Sequence, residues 1–102
     1  MTPTLAAQLE RLASAGIRLL SVPEIPTHFV FEREDCVVLV ERRGEGFGAI
    51  GSPGLLSDNG FAALVTRDSK DWFVGKVQSR PAAGGEASAA RRLYRDLRDI
   101  LG

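Results

Sequence analysis

Along most of this chain the apolar positions fall on both sides of the extended runs instead of alternating cleanly with polar ones. From His28 to Arg43 the residues are His-Phe-Val-Phe-Glu-Arg-Glu-Asp-Cys-Val-Val-Leu-Val-Glu-Arg-Arg. Two runs rich in valine and phenylalanine, side chains that suit a pleated surface, flank the polar pair Glu34-Asp35, so the stretch predicts a β-hairpin. A two-residue turn there sets Arg33 opposite Cys36, Phe31 opposite Val38 and Phe29 opposite Val40, which makes one strongly apolar face. The other face places His28, Val30 and Glu32 against Glu41, Leu39 and Val37, apolar at the centre and polar at the rim.

A second hairpin is predicted from Phe61 to Arg67 and from Trp72 to Val77, around Asp68-Ser69-Lys70-Asp71. Pairing Arg67 with Trp72 puts Leu64, Thr66, Phe73 and Val77 on one face and Phe61, Val65, Trp72 and Val74 on the other. Both faces are again largely apolar, which an antiparallel sheet with one side in water would not show.

Helical spacing appears at the two ends. Thr2-Pro3 suits a helix start, Leu5, Leu9, Leu12 and Ala13 share one face, and Gly16 ends the run. Ala90, Leu93, Tyr94, Leu97, Ile100 and Leu101 recur at three-and-four spacing, with Arg91, Arg92, Arg95, Asp96, Arg98 and Asp99 on the remaining surface. This is the clearest helix in the sequence. Residues Ile17 to Val22 read equally as a short strand or a packed connector. Val22-Pro23-Glu24-Ile25-Pro26 reads as extended, because each proline restrains itself and the residue before it.

Gly44 to Gly54 holds five glycines in eleven residues and reads as a sharply turning crossing between the hairpins. Within it Ser52-Pro53 is expected to cap one helical turn through Leu55 and Leu56, ending at the turn pair Asn59-Gly60. Pro81 to Gly85 reads as a loop. The predicted fold is therefore α+β: an antiparallel sheet of four to five strands, two hairpins joined by the glycine-rich crossing, with an N-terminal and a C-terminal helix packed on it.

Composition narrows the function more than it defines it. The 102 residues fit one domain spanning 1–102, and 44% apolar with 25% charged residues is the balance of a folded, water-soluble chain. Thirteen basic side chains cancel thirteen acidic ones. No global field then draws the chain to nucleic acid or an anionic membrane, while association between copies stays permitted. Cys36 is the single cysteine and His28 the single histidine, which excludes an internal disulfide and the usual zinc sets and points to a reducing, cytoplasmic setting. No secretory signal or spanning segment is expected, since the N-terminus lacks a basic n-region and Glu10-Arg11 interrupts any apolar run there.

Candidate chemistry is sparse. Gly46-Phe47-Gly48-Ala49-Ile50-Gly51 matches a dinucleotide-binding fingerprint, but Pro53 and Gly54 prevent the long helix that such a loop must open. Cys36 and His28 lie roughly 16 Å apart at about 3.3 Å per residue in the predicted register, too far for a catalytic dyad. Ser52 has Ile50 two residues before it, where a nucleophile elbow needs glycine. Arg91, Arg95 and Arg98 form a stripe that Asp96 and Asp99 partly neutralise. No catalytic, cofactor or metal residue is assigned.

The leading expectation is a non-catalytic interaction module, adaptor- or chaperone-like, that forms a homodimer and binds another protein. Both helices are small enough to fit on one face; if they do, the apolar centre of the other is left uncovered, and Val30, Val37, Leu39, Phe61, Val65, Trp72 and Val74 are the expected interface. The order of elements is similar to that of small dimeric adaptor and secretion-chaperone folds. The alternative is a small-molecule site or minor enzyme at the glycine-rich crossing, using Glu45, Gly46, Gly48, Gly51 and Ser52, with Asp58 nearby.

Overall fold

The computed structural model describes residues 5–44, 46–57, 60–76 and 78–101. Helix α1 (Leu5–Ser14) precedes seven strands, β1 (Arg18–Leu20), β2 (His28–Arg33), β3 (Cys36–Arg43), β4 (Gly46–Ser57), β5 (Gly60–Arg67), β6 (Lys70–Val74) and β7 (Ser79–Pro81), and helix α2 (Glu86–Leu101) follows them. All seven strands join one sheet in the order β1-β2-β3-β4-β5-β6-β7, every neighbour antiparallel. The α+β class and the terminal helices match the sequence reading, but the four to five strands expected there are corrected to seven.

The largest correction is β4. The glycine-rich stretch is a twelve-residue strand in the middle of the sheet, so Ser52 and Pro53 lie in a strand and cap no helical turn. Glycine is usually read as a breaker, yet here it answers close approach between strands: a methyl group on Gly51 would come 3.0 Å from the Leu39 carbonyl oxygen. The β3/β4 ladder shifts register between Val38 and Val40 and again between Val40 and Arg42. Pro53, which cannot donate to a ladder, pairs with Val38 beside the first irregularity.

The other added strands are short edges. β1 pairs Leu19 with Phe31 and Leu20 with Val30, which resolves residues 18–20 as a strand. β7 pairs Arg80 with Phe73 and ends at Pro81, a residue that an outer strand tolerates. The Thr2-Pro3 start, Asn59 and Val77 lie outside the described residues.

Both hairpin turns are two-residue turns with left-handed dihedrals, at Glu34 and Asp35 (φ 54° and 65°) and at Asp68 and Ser69 (φ 51° and 65°). That geometry matches the twist of the flanking strands. The first hairpin has the expected register, with Arg33 opposite Cys36. The second pairs Arg67 with Lys70 and Val65 with Trp72, so the predicted register of Arg67 against Trp72 was displaced by two residues. An even displacement leaves each side chain on its predicted face.

One face of the sheet carries both helices. Leu12 of α1 and Ile17 just after it, Leu93 and Leu97 of α2, and Phe31, Cys36, Val38 and Val40 of the hairpin form one buried cluster. Helix α1 ends as Gly16 suggested: Gly16 takes φ 77°, its N–H donates to the Ala13 carbonyl, and the Ile17 N–H donates to the Leu12 carbonyl. This is a Schellman ending, and the apolar contact that accompanies such endings is supplied by buried Leu12 and Ile17.

Helix α2 buries Ala87, Ala89, Ala90, Leu93 and Leu97 and is fastened to the sheet by ions at its edges. Arg91 donates to Asp71 at 2.5 Å and to Thr66 at 3.2 Å, and Arg33 bridges Asp96 at 2.8 Å and the Ala15 carbonyl at 3.1 Å. Among the described residues no helix is long and apolar enough to cross a membrane.

Candidate functional site

The face without helices follows from the ladder. Residues opposite one another in antiparallel strands share a face, so the row Val37, Gly54, Ala63, Val74 lies together, as do Leu20, Val30 and Leu39, and Val65 with Trp72. All seven interface candidates therefore stand on this one face. Val30 (1% exposed) and Val37 (2% exposed) are closed off within the chain, whereas Leu39, Phe61, Val65, Trp72 and Val74 are half-buried.

Val30 and Val37 stand outside the buried cluster that holds Leu12, Leu93 and Leu97 of the helices. The segment that reaches this side is the β1–β2 connector, whose Val22, Glu24 and Ile25 line a groove of about 670 Å³ together with Leu56, Phe61 and Lys76. The Ile25 N–H donates to the Val22 carbonyl at 3.0 Å and folds the connector back on itself. Away from this connector Val65, Trp72 and Val74 of β5 and β6 stay half-buried.

A second cavity, about 450 Å³, lies at the end of the sheet where α2 begins. Its apolar wall comes from Leu55, Leu56, Phe61, Ala62 and Phe73, and its polar lining from Asp35, Ser57, Lys76, Gln78, Arg80 and Glu86. Arg80 makes a two-bond fork with Glu86, at 2.9 and 2.8 Å, while its guanidinium sits 5.2 Å from the centre of the Phe73 ring. Glu86 also accepts the Ala83 N–H at 2.7 Å. The Arg80 bonds first and the Ala83 bond second hold the Glu86 carboxyl down at about 2.

The residues proposed for a site on the glycine-rich stretch are distributed differently from expectation. Gly46, Gly48, Gly51 and Ser52 are strung along β4 and line neither of these cavities, and Glu45 and Asp58 lie outside the described residues. Cys36 is buried, its Sγ lies 3.7 Å from the Glu86 carbonyl oxygen, and burial followed by the nearby Glu86 charge pushes its thiol up. His28 is paired with Glu41 across the hairpin, at the end of β2 opposite to Arg33 and Cys36. Among the described residues no group of three histidine, cysteine or carboxylate side chains is arranged to hold a metal. Of the arginine stripe on α2, Arg91 is engaged by Asp71 and Thr66, and Arg92 beside it lies 3.5 Å from Glu34.

The cavity residues were missed in the sequence because Arg80 and Glu86 flank what reads as a plain loop. The available signal was Glu86 directly after Gly84-Gly85 and before an alanine-rich helix, the place where a carboxylate favours the first turn. Compared with known proteins, the chain matches no family model, no curated protein and no solved structure.

Proposed function

We propose that this chain is a non-catalytic interaction module, adaptor- or chaperone-like, working in the cytoplasm and docking through the helix-free face of its sheet. The first partner is a second copy, and the dimer in turn engages another protein. The observation that carries this reading is the placement of both helices in one buried cluster with Phe31, Val38 and Val40. It leaves Leu39, Phe61, Val65, Trp72 and Val74 only half-covered on the opposite side. A face of that composition gains by leaving water, and a zero net charge places little repulsion between copies.

Sedimentation velocity tests it. The expected result is a dimer at high micromolar concentration that Val65→Lys shifts to monomer, with the far-UV circular dichroism of the variant unchanged. A wild-type protein that stays monomeric at that concentration ends the self-association reading.

A further inference from the structure

We propose that the cavity at the start of α2 binds a small zwitterion with an apolar side chain, an apolar α-amino acid, its carboxylate on Lys76 and its ammonium on Asp35. This goes beyond the docking role: the two share Phe61, but the charged residues Asp35 and Lys76 take no part in docking. Among the described residues four charged side chains line the cavity: Asp35, Lys76, Arg80 and Glu86. Arg80 and Glu86 satisfy each other through the two-bond fork, and Glu86 has Ala83 as well. Neither is open to a ligand without breaking strong charge-assisted bonds.

Asp35 and Lys76 differ. Both are exposed, and neither has an ion-pair or hydrogen-bond partner among the described residues. Among the described residues this leaves one carboxylate and one ammonium at the same cavity, which complement a ligand that carries one of each. A phosphate or other dianion meets Asp35 and Glu86 as like charges, and a simple cation meets Lys76 and Arg80. The apolar wall of Leu55, Phe61 and Phe73 supplies the rest of the selectivity, since it favours a hydrocarbon or aromatic side chain over a polar one. The volume of about 450 Å³ falls within the range of small-ligand sites.

Both groups are held by local backbone. Asp35 occupies the second position of the β2–β3 turn with φ 65°, so Asp35→Asn, which tolerates that conformation, removes the charge without disturbing the turn. Lys76 belongs to the β6–β7 connection, which the Gly75 N–H closes by donating to the Gln78 carbonyl at 2.9 Å.

Isothermal titration calorimetry with leucine and phenylalanine, their N-acetyl derivatives and their amides tests the assignment on the intact chain. Free leucine or phenylalanine is expected to bind at millimolar concentration or below. Blocking either end is expected to weaken binding about tenfold. Lys76→Met is expected to weaken the free acid and leave the amide unchanged, and Asp35→Asn to weaken the free acid and leave the N-acetyl form unchanged. Circular dichroism melts of both variants confirm that they are folded. No heat with any free amino acid overturns the proposal, as does binding that either blocking group or either variant leaves intact. Because the dimer test uses Val65 and this one uses Asp35 and Lys76, each reading fails or stands separately.

Discussion

The ring of Phe61 lies over the α-carbon of Gly54. A methyl group on Gly54 would stand 2.8 Å from Phe61 Cε2 and 2.0 Å from the Ala62 carbonyl oxygen. The glycine lets β4 and β5 close with an aromatic ring in the place of a side chain. Gly54→Ala therefore forces two central strands apart. The expected loss is about 3 kcal/mol or more, a fall of at least roughly 10 °C in Tm, measured by thermal and urea unfolding. A change below about 1 kcal/mol would show that the two strands do not approach this closely.

Gly16→Ala acts through backbone conformation alone. Gly16 has φ 77° and only the Arg33 side chain within reach of an added methyl, at 3.8 Å, so there is space but strain. Urea unfolding should register a loss of about 1 kcal/mol, much less than at Gly54.

Leu93 is fully buried in the cluster that joins both helices to the hairpin. Leu93→Ala leaves a cavity between α2 and the sheet, with an expected cost of about 2–5 kcal/mol in chemical unfolding. The same truncation at exposed Leu19 (50% exposed) should change stability by less than about 0.5 kcal/mol.

Acid unfolding should carry the mark of the helix clamps. The Glu86 carboxyl is lowered from 4.5 to about 2 in the folded chain, and Asp71 is lowered by its bonds to Arg91 and Thr66. A group lowered on folding adds stability above its unfolded value, and that contribution is lost as the pH falls through its folded value. Stability should thus fall from about pH 4.5 toward pH 2, and Glu86→Gln should flatten this part of the profile. Both carboxylates are solvent-facing, so added salt should shrink the effect.

The Cys36 thiol should be inert in the native state. It is buried, and its ionisation is pushed up by burial and by surrounding carboxylates. A disulfide reagent is expected to label it slowly in buffer and rapidly in urea; fast labelling in buffer would mean that β3 and the start of α2 open readily.

The hairpins and the C-terminal helix were legible because their signals are local: valine and phenylalanine around Glu34-Asp35, and apolar residues at helical spacing from Ala90 to Leu101. The two-residue slip at Asp68-Ser69 did no harm to the face assignment, since strand side chains alternate with a period of two. β4 was hidden for the opposite reason. Its glycines, such as Gly51 and Gly54, are required by neighbours that come from other parts of the chain, and local propensity reads them as a break. The edge strands β1 and β7, three residues each, depend on a ladder supplied by β2 and β6. Of the cavity, Glu86 was visible as a helix-start acid, but its meeting with Arg80 and with the open end of the sheet depends on β7 turning back beside β6.

The order of synthesis gives α2 a special weight. Every strand pairs with the one made just before it, so the sheet zips up ribbon by ribbon as the chain leaves the ribosome, with few distant encounters to wait for. Yet Phe31, Val38 and Val40, among the first strand residues to emerge, have only Leu12 and Ile17 to cover them until Leu93 and Leu97 follow the last strand. A nascent chain stalled before Glu86 is a finished sheet with a sticky, half-roofed side, and a stop codon there should yield aggregates in place of a smaller folded protein.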